Sequence, residues 1–249
     1  MTDPLRAIVH TALLGLSPLA KYRPRPGRRA VDGDVGLLAA GLPGPDFNCA
    51  MVLGPAPPAR VFAPADEFFG DPRGYSVVLE VGVAGPVENE LRARGWRLDE
   101  EEPALALPAM PAAPPPPPAG LAIRPVADEA GLLDFLNVSE TGRRHIPSLA
   151  AALDPDVGLC VGYVDGRAVA TSRLSCLDGV AEITGVVTDP THRRRGFGTA
   201  LTWAAVAEGA ARGCTAATLT ASELGYPVYV RMGFVPAGVY RTYLPPAAS

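Results

Sequence analysis

The chain reads as an α+β protein in which a mixed, mostly antiparallel β-sheet is flanked by helices and preceded by a smaller unit. Three observations predict this. Asp165-Gly166 and Asp178-Gly179 each separate two apolar runs and mark two-residue hairpins. The run after the second hairpin enters a glycine-punctuated turn, then an alanine-rich helix, then another apolar run, which is a β-α-β order. Finally, a proline-rich segment over residues 111–120 divides the sequence into residues 1–110 and 121–249.

Leu5, Ile8, Val9, Ala12, Leu13 and Leu16 recur at helical spacing, with Pro4 suited to the first turn. Asp3, Arg6 and His10 interrupt the apolar stretch, so it reads as an amphipathic helix and not as a secretion signal. Five cations follow over residues 21–29, where a solvated loop is a plainer reading than an anion site. Residues 75–83 read as a strand and residues 86–94 as a short helix closed by Gly95. Glu88 with Arg92 and Glu90 with Arg94 supply i,i+4 pairs on that helix. Trp96 opens another extended segment. The consecutive prolines favour extended polyproline geometry and read as a semi-rigid spacer; a ligand for an SH3-type domain is the alternative.

In the second half, residues 121–126 read as a strand, with helical segments between Glu129 and Leu153. Strands follow over residues 158–164, 168–176 and 181–188. The alanine-rich helix runs to Arg212 and stops at Gly213. A strand over 215–221, a short helix over 224–231 and an extended segment over 234–244 complete the order. The two halves share a faint repeat: Arg94-Gly95-Trp96 leads to Leu107-Pro108 much as Met232-Gly233-Phe234 leads to Leu244-Pro245.

Composition bounds the function. A 249-residue chain with 48% hydrophobic residues can bury one large core or two small ones. The formal net charge of -4 gives the whole chain no nucleic-acid footprint, despite the Arg193-Arg194-Arg195 run. The four cysteines are widely spaced and the three histidines isolated, so no metal site is expected, and reduced thiols in the cytoplasm fit best. No apolar run reaches membrane-spanning length.

The most informative stretch is Val186-Val187-Thr188 followed by Asp189-Pro190-Thr191-His192-Arg193-Arg194-Arg195-Gly196-Phe197-Gly198-Thr199. A strand here enters a basic turn that opens a helix, which suits a diphosphate. Unpaired N–H groups of the helix N-terminus converge on the anion, glycines allow close backbone approach, and arginines add charge. No Gly-Lys-Ser/Thr ending is present, which excludes a P-loop, and the glycines come after the arginines, which excludes the dinucleotide fingerprint.

The pattern R-x-x-G-x-G between a strand and a helix resembles motif A of the GNAT acyltransferases, which binds the pyrophosphate of acetyl-coenzyme A. Tyr226 through Phe234, with a tyrosine shortly before Gly233-Phe234, resembles that family's second block. The likeness covers residues 121–249; residues 1–110 resemble, more weakly, the degenerate first half of tandem GNAT proteins. The resemblance implies direct transfer of an acetyl group from acetyl-coenzyme A to an amine of a small molecule or peptide, in a GNAT-like fold, with no metal, nucleic acid or membrane involved. A homodimer stays open, as do the acceptor's identity and the acyl chain length.

By the same resemblance, Arg193, Arg194, Arg195, Gly196, Phe197, Gly198 and Thr199 hold the pyrophosphate. Val186, Val187 and Thr188 pair with the pantetheine arm as an added strand, and a backbone N–H near Val186 meets the thioester oxygen. Gly185 is either a bulge or a packing glycine. Tyr229 is the expected acid beside the leaving sulfur, with aromatic packing on Phe234 as the bland alternative. Glu182 is the expected base, with ordered water in its place as the alternative. Glu140, Arg143, Arg144 and His145 fall in the region that caps the acceptor site in relatives, although surface charge explains them equally. Trp203 reads as core. Cys176 lacks a neighbouring base and reads as a buried thiol. A rival function is a non-catalytic acyl-coenzyme A sensor or partner-binding module, which keeps the turn but makes no use of Tyr229.

Overall fold

The computed structural model describes residues 3–23, 25–111, 113–139 and 146–247. The N-terminal helix α1 (Pro4–Leu13) starts where Asp3 accepts a hydrogen bond from the Leu5 N–H, with proline in the first turn. The first half continues as β1 (Arg28–Asp32), β2 (Val35–Ala39), β3 (Asn48–Val52), α2 (Phe62–Phe69), β4 (Ser76–Glu80), α3 (Gly85–Ala93) and β5 (Arg97–Leu107). The second half begins with β6 (Ala122–Pro125), α4 (Glu129–Val138) and α5 (Leu149–Ala152). It continues as β7 (Val157–Val164), β8 (Arg167–Leu177), β9 (Val180–Thr188), α6 (Phe197–Ala211), β10 (Ala216–Thr220), α7 (Tyr226–Arg231) and β11 (Val235–Leu244).

The expected hairpins form because Asp165, Gly166, Asp178 and Gly179 all take positive φ, which matches the strand twist in two-residue turns. The sequence reading missed β1, β2, β3 and α2. Strand β1 is exposed along its whole length and β2 is buried along its whole length, so neither shows the alternation that marks a half-buried strand.

All the strands join one eleven-stranded sheet in the order β1-β2-β3-β4-β11-β5-β10-β9-β8-β7-β6. The two halves exchange their last strands across its centre. Strand β5 pairs antiparallel with β10 of the second half, and β11 pairs antiparallel with β4 of the first. Between them β5 and β11 pair with each other from Ala106 to Arg97, with β-bulges near Ala237 and Thr242. The parallel pair β3–β4 on one side answers the parallel pair β9–β10 on the other.

The faint sequence repeat has a local physical cause. Helix α3 ends with Gly95 N–H donating to the Arg92 carbonyl and Trp96 N–H to the Leu91 carbonyl. Helix α7 ends identically, with Gly233 N–H to Val230 and Phe234 N–H to Tyr229. This is the Schellman ending, in which the glycine sits at positive φ and the residue after it packs back on the helix. Trp96 and Phe234 are the two returning aromatics, and both are buried.

Helices cover both faces. Helices α2, α3, α6 and α7 lie on one face, where Leu37, Val77 and Leu79 pack with α2 and α3, and Leu105, Leu174 and Leu219 with α6. The opposite face carries α1, over Leu38, Met51, Ala104 and Ala106, and also α4 and α5, over Val157, Leu159 and Val161. A buried carboxylate anchors α1: Glu80 of β4 accepts from Arg6 Nη2 at 2.6 Å and lies 3.0 Å from His10 Nε2. Removing the carboxylate strands a partly buried arginine under the helix, the costly half of such a pair. Lys21 and Tyr22, in the 3₁₀ turn Pro18–Tyr22, both engage the buried Asp154 and tie the first half to the approach to β7.

Because β5 and β11 each complete the other half's sheet, residues 121–249 expressed alone leave β10 and β11 without the strand between them. The expected outcome is an insoluble or unfolded fragment that becomes soluble and co-purifies with residues 1–120 when both are expressed together. Far-ultraviolet circular dichroism and size-exclusion chromatography check this; a cooperatively folding isolated second half would contradict it.

Candidate active site at the parted strands

Strand β9 pairs with β10 only from Val180 to Glu182, against Ala216 to Thr218. Beyond that point β10 follows β5 as far as Thr220, while β9 stays with β8 as far as Thr188. The edge of β9 from Ile183 onward therefore has no strand partner among the described residues, and its N–H and C=O groups face a widening gap. A bulge bends the strand there: Gly185 and Val186 oppose the single residue Ser172. Gly185 has φ +59°, and Thr171 Oγ1 donates to its carbonyl at 3.1 Å. Of the two readings the sequence left open for Gly185, the bulge is the one observed. The corresponding strands of the first half do not part, since β3 and β4 remain paired through Val52 and Leu79.

The turn after β9 is built by Asp189, whose carboxylate accepts from the Thr191 N–H at 2.9 Å and from the Thr191 hydroxyl. Those bonds, the side-chain one foremost, hold the Asp189 carboxyl down at about 2, with His192 and Arg167 adding to the effect. Arg193 Nε donates back to the Thr188 carbonyl at 3.3 Å. Arg194 and Gly196 are both left-handed, with φ +60° and +79°. Gly196 is the N-cap of α6 and no side chain bonds the first helical N–H groups. Gly198 lies against the end of β9: a Cβ on it would sit 3.6 Å from Thr188 Oγ1 and 3.8 Å from Val186 Cγ1. A cavity of about 740 Å³ adjoins, walled by Asp134 and Asn137 of α4, Arg167, and Val187, Thr188 and Arg193.

The structure thus gathers Val186, Val187, Thr188 and residues 193–199 around one gap and one helix N-terminus. Arg193, Arg194 and Arg195 are exposed beside it. Phe197 is different, because its side chain is buried with Leu121, Ala200 and Leu201, its ring stacked 6.4 Å from that of His192.

Tyr229 and Glu182 occupy opposite faces of the sheet. Tyr229 is half-buried on the α6 face, with its ring edge-on to Phe234 at 6.0 Å. Burial pushes its phenol up, and a hydrogen bond with Thr202 draws it partly back. Thr202 in turn donates to the Gly198 carbonyl at 2.9 Å, which links Tyr229 to the helix that opens at the turn. In the first half the position matching Tyr229 is Leu91, which has no proton to give. Tyr226 lies elsewhere, lining a groove with Glu100, Glu102 and Glu223.

Glu182 lies on the α1 face. Its cross-strand neighbours are Ser175 and Thr218, and Ser175 Oγ is buried with no hydrogen-bond partner among the described residues. Burial raises the Glu182 carboxyl, while the nearby Arg173 guanidinium lowers it less strongly. Arg173 Nε donates to Thr184 Oγ1 at 2.8 Å and feels the same desolvation. Sequence reasoning missed Arg173 and Thr202, since neither belongs to a motif and each matters only through a neighbour on another strand or helix. Burial, with Cys214 close by, pushes the Cys176 thiol up to about 12, so it is protonated and inert at neutral pH. Trp203 is half-buried against the core around α6. Glu140, Arg143, Arg144 and His145 lie outside the described residues.

Residues 130–234 match the family model described as Acetyltransferase (GNAT) family. This stretch is a GNAT acetyltransferase domain. Solved structures agree on the fold. The chain is similar to a GCN5-related N-acetyltransferase from Kribbella flavida at 24% identity, covering 98% of this chain and 96% of that one, with a TM-score of 0.75. It is also similar to a GCN5-related N-acetyltransferase from Sphaerobacter thermophilus, at 16% identity over 86% of this chain and 81% of that one, TM-score 0.57. A GCN5-related N-acetyltransferase-like protein from Streptococcus suis gives 17% identity over 88% of each chain and a TM-score of 0.58. No curated protein matches the chain. Among the described residues, no group of three or more His, Cys, Asp or Glu could hold a metal ion, and no helix is long and apolar enough to cross a membrane.

The Asp189 brace at the mouth of the GNAT domain's turn gives a pH signature. A carboxyl held at about 2 when folded, against roughly 3.9 when unfolded, stabilises the fold above the unfolded value and loses that effect as pH falls toward 2. Asp189→Asn is expected to lower the melting temperature at pH 7, and the difference from wild type should close as pH is taken down to about 2. Thermal melts across that range check it; a difference independent of pH would show that the charge is not what holds the turn.

Proposed function

We propose that the GNAT domain transfers an acetyl group from acetyl-coenzyme A directly to a primary amine, using the cleft where β9 parts from β10. The observation that carries this reading is the coincidence, at one place, of an unpaired strand edge, an uncapped helix N-terminus behind two glycines, and a half-buried tyrosine. When bound, acetyl-coenzyme A supplies the activated acyl group and a thiol leaving group.

The chain's own residues then have distinct tasks. The N–H groups of residues 196–199, with Arg193, Arg194 and Arg195, hold the diphosphate against the dipole of α6. The open edge of Val186, Val187 and Thr188 offers N–H and C=O groups to an amide-bearing arm, as a sheet edge does to an added strand. A backbone N–H near Val186 faces the negative charge that develops on the acyl oxygen, and a fixed donor of that kind is worth about 3 kcal/mol. Tyr229, kept protonated by burial, donates to the departing sulfur. Glu182, with its raised carboxyl, accepts the proton that an alkylammonium must lose before it can attack. The first half, in this reading, is a degenerate copy: β3 and β4 stay closed and Leu91 replaces the tyrosine, so it shapes the acceptor side without holding a donor of its own.

Isothermal titration of acetyl-coenzyme A into the wild type and Gly196→Glu tests the assignment. One-to-one binding to the wild type that disappears in the variant is expected; absence of binding by folded wild type would remove the reading. Tyr229→Phe should lower kcat about a hundredfold with little change in acetyl-coenzyme A affinity, and an unchanged kcat would leave Tyr229 only its packing role. For the base, kcat/KM of the wild type should fall on acidification through a value above that of an ordinary glutamate, since the protonated carboxyl cannot accept a proton. In Glu182→Gln that acidic limb should vanish along with most of the rate. A limb retained at near-wild-type rate would assign proton removal to water.

A further inference from the structure

The proline-rich segment between the halves lies along α6. Met110, at its start, packs into the core beside the end of that helix, and its Cε would be 3.5 Å from a Cβ on Gly209. Pro118, at its other end, sits over the start of the helix, with its Cγ 3.4 Å from where a Cβ on Gly196 would be. The chain then makes a turn in which Leu121 N–H donates to the Pro118 carbonyl at 3.1 Å, with Gly120 at φ +81° in the third position. That turn delivers Leu121 into the cluster formed by Phe197, Ala200 and Leu201, the first helical turns of α6. Between these anchors Ala113 through Pro117 are exposed.

The lengths agree. From Gly196 to Gly209 the helix advances thirteen residues, or about 20 Å at roughly 1.5 Å each. From Met110 to Pro118 the segment advances eight residues, or about 25 Å at roughly 3.1 Å each in polyproline geometry. A segment whose reach exceeds the span by only about 5 Å has limited slack, and consecutive prolines resist bending. A flexible connection of the same length would hold neither end.

We infer that the proline-rich segment is a splint for α6 that fixes the helix's first turn, and with it the left-handed Gly196, in the geometry that receives the diphosphate. It is a positioning element, not a spacer, and Pro118 is its working contact. The turn needs such support because Arg194, which is not a glycine, holds left-handed backbone beside the left-handed Gly196, a conformation that a Cβ makes sterically costly. The inference rests on the acyl-coenzyme A reading of the turn for its purpose, and on the two anchors alone for its mechanics.

The test replaces the four exposed prolines without changing length, as P114G/P115S/P116G/P117S, in the full chain; Pro118→Ala, which removes only the ring over Gly196, is the second variant. Hydrogen exchange of the ligand-free protein is expected to quicken at residues 196–201 while β7 and β8 keep their wild-type rates. Calorimetry should show acetyl-coenzyme A bound about fivefold more weakly, with kcat at saturation unchanged. Exchange and Kd both equal to wild type would overturn the inference and leave the segment a tether. Faster exchange without any change in Kd would overturn it too, since the turn would then not depend on the splint. If the wild type itself binds no acetyl-coenzyme A, the reading of the turn fails, whereas local quickening of exchange would still establish the splint.

Discussion

The antiparallel contact between β5 and β11 is the interaction on which the rest of the molecule depends. Each strand ends one half of the chain, yet each completes the sheet of the other, so neither half has a finished core alone. Exchange of this kind makes a single sheet where the sequence shows two units, and it places β5, a first-half strand, directly beside β10 at the cleft. Any motion of one half relative to the other must break backbone hydrogen bonds at the centre of the sheet, which makes the cleft walls rigid.

Rigid walls matter because the site is assembled from backbone as much as from side chains. The gap exists because β10 is held by β5 on one side while β9 is held by β8 on the other, and the Gly185 bulge turns the β9 edge outward between them. In the turn Arg194 and Gly196 are left-handed, with Asp189 bonded within it and Pro118 close to Gly196. Tyr229 is set by its own helix ending, in which Phe234 returns to pack on it, and by Thr202 from α6. The tyrosine-to-Gly-Phe spacing in the sequence is therefore a helix ending in its own right. The first half keeps the cap, as Leu91, Gly95 and Trp96, without the phenol.

Much of this was legible in the sequence. The hairpins at Asp165 and Asp178, the α3 ion pairs at 2.7 Å and 2.8 Å, and the turn that opens α6 follow from local rules that operate within a few residues. Strands β1, β2 and β3 escaped because uniform exposure or uniform burial leaves no period to read. Arg173 beside Glu182 and Thr202 beside Tyr229 escaped because such partners are neighbours only across a strand pair or between helices. That the two ends of the proline-rich segment are anchored along one helix could not be foreseen.

The sequence by itself determined the element types of the second half, the glycine-punctuated turn that opens α6 and the cap that places Tyr229. These rest on backbone preferences of glycine, proline and aspartate and on hydrophobic period, all of which act locally. Only the tertiary structure decided which strands pair at the centre, where β9 parts from β10, and what lies against α6. Strand pairing joins residues more than a hundred positions apart, such as Thr218 and Ala106. Backbone hydrogen bonds of that kind carry no residue-specific signature, so the choice among partners is made by the packing of the whole chain.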